Sequence, residues 1–78
     1  METNYIEIEY LKKKVKILRY ISESNKNFEL RLNYINKLEK HNIPWDEANK
    51  LSLLWYNIKF KKCKYNKDLY ITALKYDK

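Results

Sequence analysis

Glycine is absent from all 78 residues, and proline occurs once, at Pro44. Without glycine the backbone loses its easiest route to left-handed turns, tight bends and phosphate-cradling loops. Walker loops, dinucleotide fingerprints and EF-hand loops all need it, so nucleotide and calcium sites of those kinds are excluded. A single cysteine rules out an internal disulfide, and with a single histidine beside it a structural zinc site is out of reach. The longest apolar run is Leu53 to Tyr56, far short of the ~20 residues that a bilayer span needs. The acidic N-terminus has no apolar stretch before a small-residue cleavage site, so it does not read as a secretory signal. These absences point to an intracellular protein, cytoplasmic if its source is prokaryotic or viral, and the unpaired thiol fits a reducing compartment.

What the chain has is charge and aromatic surface. Lys and Arg number 17 against 10 Asp and Glu, a formal charge of +7, while 45% of residues are hydrophobic and 15% aromatic. A chain of this length makes one domain, residues 1–78, with a core worth only ~3–5 kcal/mol net, and a partner or self-association is the remaining way to add buried area. The basic balance speaks of polyanions or acidic protein faces and says nothing of fold. It also has a plainer source, because Lys, Asn, Ile and Tyr together fill half the chain, the bias expected of an AT-rich genome.

Hydrophobic spacing predicts an all-α fold: three main helices over about 4–22, 27–41 and 44–65, with a short helix at the C-terminus. In the first, Ile8, Leu11, Val15 and Leu18 recur at three and four, and Ile6, Tyr10, Ile17, Tyr20 and Ile21 form a second apolar arc. Lys12, Lys16 and Arg19 make a basic stripe between the arcs. The second helix points Phe28, Leu32, Ile35 and Leu38 inward, with Asn25 or Asn27 as its cap. Asn42, Ile43 and Pro44 end it. Pro44, Trp45, Asp46 and Glu47 then give a strong start signal for the third, with proline in the first turn and acids at the positive dipole end. Ala48, Leu51, Trp55 and Ile58 share one face of that helix, and Leu53, Tyr56 and Phe60 the other. A competing α+β reading makes a C-terminal β-hairpin from residues 54–65 and 69–76 about a turn at 65–68. Its register mixes polar and apolar faces, and no glycine is present to form a primed turn.

Candidate chemistry is sparse. Cys63 lies among Lys61, Lys62 and Lys64, which favour a thiolate, but no oriented base or oxyanion donors accompany it. His41 with Asp46 and Glu47 makes a poor ligand set, and the two acids are better explained as first-turn helix residues. No catalytic residue, metal or cofactor is expected. Trp55 at helical spacing reads as core, while Trp45 beside Pro44 is free to be partly exposed.

The stretch Leu54-Trp55-Tyr56-Asn57-Ile58-Lys59-Phe60-Lys61-Lys62 superficially resembles a homeodomain recognition helix, whose signature is Trp-Phe-X-Asn-Arg-Arg. Aligned on Trp55, the adenine-reading asparagine of that family falls on Ile58 and its two arginines on Lys59 and Phe60. No function is carried over, and no family is claimed.

Two non-enzymatic functions follow from the residues. Lys12, Lys16 and Arg19, with Lys59, Lys61, Lys62, Lys64 and Lys67, are candidates to grip nucleic-acid backbone, alone or within a nucleic-acid–protein assembly. Lysine dominates and arginine is scarce, so such contact would be blind to sequence. The alternative is a small inhibitor or adaptor of phage or plasmid type docking on an acidic face of a host enzyme, with Tyr10, Ile17, Tyr20, Leu53, Tyr56 and Phe60 as the contact surface. A membrane-surface role for the first helix ranks third.

Overall fold

A computed structural model describes residues 5–20, 23–62 and 64–77 of the chain. The fold is α+β, and the all-α expectation is wrong at the N-terminus. Where a helix over 4–22 was predicted, β1 (Tyr5–Tyr10) and β2 (Lys13–Leu18) form an antiparallel hairpin. The register pairs Ile6 with Ile17 and Ile8 with Val15 on one face, and Glu7 with Lys16 and Glu9 with Lys14 on the other. Period-two alternation thus governs both strands, and the charged face sets opposite signs across the ladder, a pairing that stabilises a sheet. The turn is made by Leu11 and Lys12, at φ 50° and 67°, which is the left-handed backbone that a two-residue primed turn requires. Neither residue is suited to it. The Glu39 carboxylate helps to hold the strained turn by accepting a hydrogen bond from the Leu11 amide at 2.8 Å.

Three helices follow. α1 (Asn25–Lys40) is capped by Ser24, not by the predicted Asn25 or Asn27, with the Ser24 hydroxyl accepting from the Asn27 amide at 3.1 Å. It stops in a Schellman arrangement in which Asn42, at φ 57°, fills the position usually given to glycine. The Asn42 amide bonds to the Glu39 carbonyl at 2.9 Å and the Ile43 amide to the Leu38 carbonyl at 3.2 Å.

α2 (Trp45–Tyr56) begins directly after Pro44, with Asp46 and Glu47 in its first turn. It continues as one wider π-helical segment, Asn57–Lys61, ended by Lys62 in a left-handed conformation at φ 53°. The helix expected to reach residue 65 therefore closes earlier. The C-terminal hairpin alternative is also overturned: residues 54–61 are helical, and α3 (Lys67–Lys75) occupies the second strand's place. Asn66, assigned to a hairpin turn in that alternative, instead caps α3 by accepting from the Leu69 amide at 3.0 Å.

The core joins both layers. Tyr10 and Ile17 from the hairpin pack with Tyr34, Ile35 and Leu38 of α1 and with Ala48, Leu51, Trp55 and Tyr56 of α2. Tyr10 donates its hydroxyl to the Ile43 carbonyl, and Tyr34 donates to the Ala73 carbonyl at 2.7 Å, fastening α3 to α1 through a fully buried alanine. The Trp55 ring stacks on Tyr34 with centroids 4.9 Å apart and planes 9° from parallel.

One buried polar node ties the end of β2 to α1. Arg31 donates to both carboxylate oxygens of Glu23, at 2.8 and 3.0 Å, and to the Leu18 carbonyl at 2.6 Å. Its guanidinium lies 4.3 Å from the Tyr20 ring centroid and 5.2 Å from that of Phe28.

Candidate nucleic-acid and protein interface

The eight predicted cationic contacts divide according to what holds them. Lys12 sits exposed in the hairpin turn, and Lys16 projects from the charged face of β2 with its ammonium 4.9 Å from the Tyr5 ring. Arg19 is half-buried; its Nε donates to the Glu23 carbonyl at 3.1 Å and its guanidinium lies 5.8 Å from Phe28, so it is structural as much as available. Lys59 is neutralised by Asp77 at 3.1 Å, an acid that also lies 3.9 Å from Lys37. Lys61, Lys62, Lys64 and Lys67 are exposed along the connection from α2 to α3. Among the described residues no carboxylate comes within ion-pair distance of Lys12, Lys16, Lys61, Lys62, Lys64 or Lys67.

A concavity of about 450 Å³ opens between the hairpin turn and the start of α2. Lys13, Lys14 and the half-buried Trp45 line it, and Tyr10 forms its inner wall, with the Tyr10 and Trp45 ring centroids 5.2 Å apart. Ammonium groups, an accessible aromatic and the positive end of a helix converge there, although Asp46 on the rim opposes anions. Lys13 and Lys14 were passed over as site residues because a helical stripe selects Lys12 and Lys16 instead. On a strand Lys13 and Lys14 face opposite sides, and both still reach the cleft because it wraps the hairpin's end.

The six predicted protein contacts fare differently. Tyr10, Ile17 and Tyr56 are core residues and present nothing to a partner in this fold. Tyr20 and Phe60 are half-buried, each with its ring against Tyr56, at centroid distances of 4.8 and 5.2 Å. Only Leu53 is well exposed, at 45%. The physical reason is the hairpin: as strands it turns Tyr10 and Ile17 into the core, and Tyr20 just beyond it packs on Tyr56, whereas a helix-only reading leaves them bare.

Leu53 is not alone. Leu18, 58% exposed, lies with it along a groove of about 290 Å³ that also includes Tyr20 and Arg31, with Lys16 and Lys50 on the flanks. Lys61 lies elsewhere, its ammonium 5.9 Å from the Tyr56 ring that backs Tyr20. Sequence reasoning missed Leu18, Lys50 and the Glu23–Arg31 node, all of which depend on the strand conformation of residues 13–18.

Burial moves the phenols upward. Tyr10 is pushed up to about 12, first by desolvation and then by the Glu39 carboxylate. Tyr34 is raised by burial and by Asp77 and Tyr76, and Tyr20 is raised by burial against the opposing pull of Arg31. The His41 ring packs on Tyr76 at 5.0 Å, and among the described residues no three His, Cys, Asp or Glu side chains come together as a metal site. Cys63 lies outside the described residues. No helix among them is long and apolar enough to cross a membrane.

Compared with known protein families, curated proteins and solved structures, the chain matches none.

Proposed function

We propose that the chain is a non-enzymatic binding module that contacts nucleic-acid backbone, by itself or as a small part of a nucleic-acid–protein assembly. The observation that carries this reading is the lysine surface without internal neutralisation: Lys61, Lys62, Lys64 and Lys67 on one connection, and Lys12 on the hairpin turn. Lysines free of carboxylates can neutralise phosphates and so release the cations condensed on a nucleic acid, and that release drives binding. The cleft beside Trp45 supports the reading, since it puts an aromatic ring next to Lys13 and Lys14. Lysine supplies this surface and arginine is scarce, so contact should be mainly to phosphates. Titration of labelled single- and double-stranded RNA and DNA at several salt concentrations tests this. The proposal fails if the purified chain has no affinity for any of them at low salt.

A second reading, docking on an acidic protein face, is favoured by one feature: the Leu18–Leu53 groove flanked by Lys16 and Lys50. Exposed leucines gain nothing from phosphates and much from an apolar partner surface.

A further inference from the structure

The two long edges of the hairpin are unlike. At β2 the edge is partly taken: Arg31 holds the Leu18 carbonyl at 2.6 Å, and Lys16 and Leu18 line a groove with Asn49 and Leu53 of α2. Along β1 no described residue takes an outward backbone group in that way. In a two-residue hairpin the closing pair, here Tyr10 and Lys13, exchanges hydrogen bonds, and by alternation so do Ile8 with Val15 and Ile6 with Ile17. The backbone N–H and C=O groups of Tyr5, Glu7 and Glu9 therefore point away from β2. Among the described residues nothing bonds to them.

An open edge is a template for another strand, and a two-stranded ribbon is marginal until something completes it. Two shallow cavities run along this edge. One, of about 280 Å³, lies at Glu7, Ile8, Glu9 and Lys14; the other, of about 210 Å³, lies at Tyr5, Ile6, Arg19 and Phe28. They fall on the route an added strand would take, where alternate side chains need seats.

Charge decides the occupant. On the outer face β1 presents Glu7 and Glu9, and β2 answers with Lys16 and Lys14. A strand carrying lysine or arginine at alternate positions would extend that alternation of sign to a third strand, and its intervening apolar residues would lie toward Ile6 and Phe28. A second copy is a poorer fit: β1 against β1 sets Glu7 and Glu9 against themselves, and the β2 edge of another copy already has its Leu18 carbonyl taken by Arg31. We propose that the β1 edge binds an extended basic segment of a partner protein by strand addition, with Glu7 and Glu9 selecting its charge.

The test uses the full chain and a capped hexapeptide of alternating lysine and valine, with the glutamate–valine hexapeptide as its counterpart. Titrations at low salt are followed by amide NMR. The lysine peptide is expected to shift the amides of Tyr5, Glu7 and Glu9, to slow exchange at Glu7 and Glu9, and to bind about tenfold or more tighter than the glutamate peptide. Glu7→Pro removes one outward N–H while sparing the ladder to β2, and it should abolish binding. The double variant E7Q/E9Q should erase the preference, and it decides the matter if Glu7→Pro disturbs the hairpin. Equal affinity for the two peptides, shifts centred on the Trp45 cleft, or binding unchanged in Glu7→Pro would overturn the proposal. So would a concentration-dependent dimer in sedimentation that Glu7→Pro dissolves, which would make a second copy the occupant.

Discussion

Glu23 and Arg31 form a two-pronged ion pair from which solvent is excluded, with side-chain exposures of 0% and 2%. The pair does more than neutralise itself. Glu23 also accepts from the Tyr20 amide at 3.1 Å, and Arg31 donates to the Leu18 carbonyl, so it fixes how the hairpin leaves the sheet and enters α1.

Removing one partner strands a charge in the interior, which costs about 3–5 kcal/mol. For a domain this small that is most of its stability. Arg31→Met and Glu23→Leu should each shift the urea midpoint steeply downward. The paired replacement Glu23→Leu with Arg31→Met should recover much of the loss, because desolvating two charges is itself unfavourable. A double-mutant cycle with no recovery would mean that the hydrogen bonds to Leu18 and Tyr20, rather than the charges, dominate.

The hairpin turn stores strain at two positions where no glycine stands. Lys12, at φ 67° and exposed, is the simpler one to relieve. Lys12→Gly should stabilise the fold by about 1 kcal/mol, while Lys12→Ala, with the same loss of charge, should not. Leu11 is unsuitable for this test because its side chain packs against the core.

That turn is also where the sequence misleads. Phe28, Leu32, Ile35 and Leu38 repeat at three and four because one helix buries them, and Asn42 to Glu47 marks the boundary between α1 and α2 legibly. Ile8, Leu11, Val15 and Leu18 repeat at the same spacing by coincidence, when a two-residue turn falls between two alternating runs. The alternation of Glu7 and Glu9 with Ile6 and Ile8 was the available signal. Absence of glycine argued against any hairpin, yet packing and Glu39 hold Leu11 and Lys12 in the conformation glycine would prefer. The candidate site follows the same division. Lysines in the connection at 61–67 are readable as exposed in any fold, but Tyr10, Ile17 and Tyr56 change from surface to core once the hairpin forms.

High pH should unfold the protein through its phenols. Tyr10 ionises near 10.0 in the unfolded chain and about 12 in the folded one. Between those values the unfolded state binds fewer protons, so stability that is fully present below pH 10 declines as pH rises toward 12. The shift corresponds to roughly 2–3 kcal/mol, and the buried Tyr34 acts in the same direction. Tyrosinate absorbance should rise together with loss of circular dichroism. Tyr10→Phe should be weaker at neutral pH, having lost the bond to Ile43, but should show a flatter alkaline decline.

Charge and apolar surface can be separated to decide between the two binding readings. If the exposed lysines neutralise about five phosphates, log affinity should fall with log salt at a slope near −4 to −5, a loss of a few hundredfold between about 50 and 200 mM. Reversing Lys61, Lys62 and Lys64 to glutamate should reduce that slope and weaken all nucleic-acid sequences alike, since lysines on phosphates position without specifying. Leu53→Asp should alter nucleic-acid binding only slightly, by adding one negative charge near Lys16 and Lys50. For a docked protein the order reverses. Leu53, exposed between two lysines, becomes an anchor whose replacement costs ~2 kcal/mol or more, while salt matters modestly. Isothermal titration of the lysine-reversed and Leu53→Asp chains, against nucleic acid and against any partner copurified after nuclease treatment, reads both effects. If Leu53→Asp lowers nucleic-acid affinity as much as the triple reversal does, the backbone-contact proposal is wrong, because a phosphate surface has no use for a leucine.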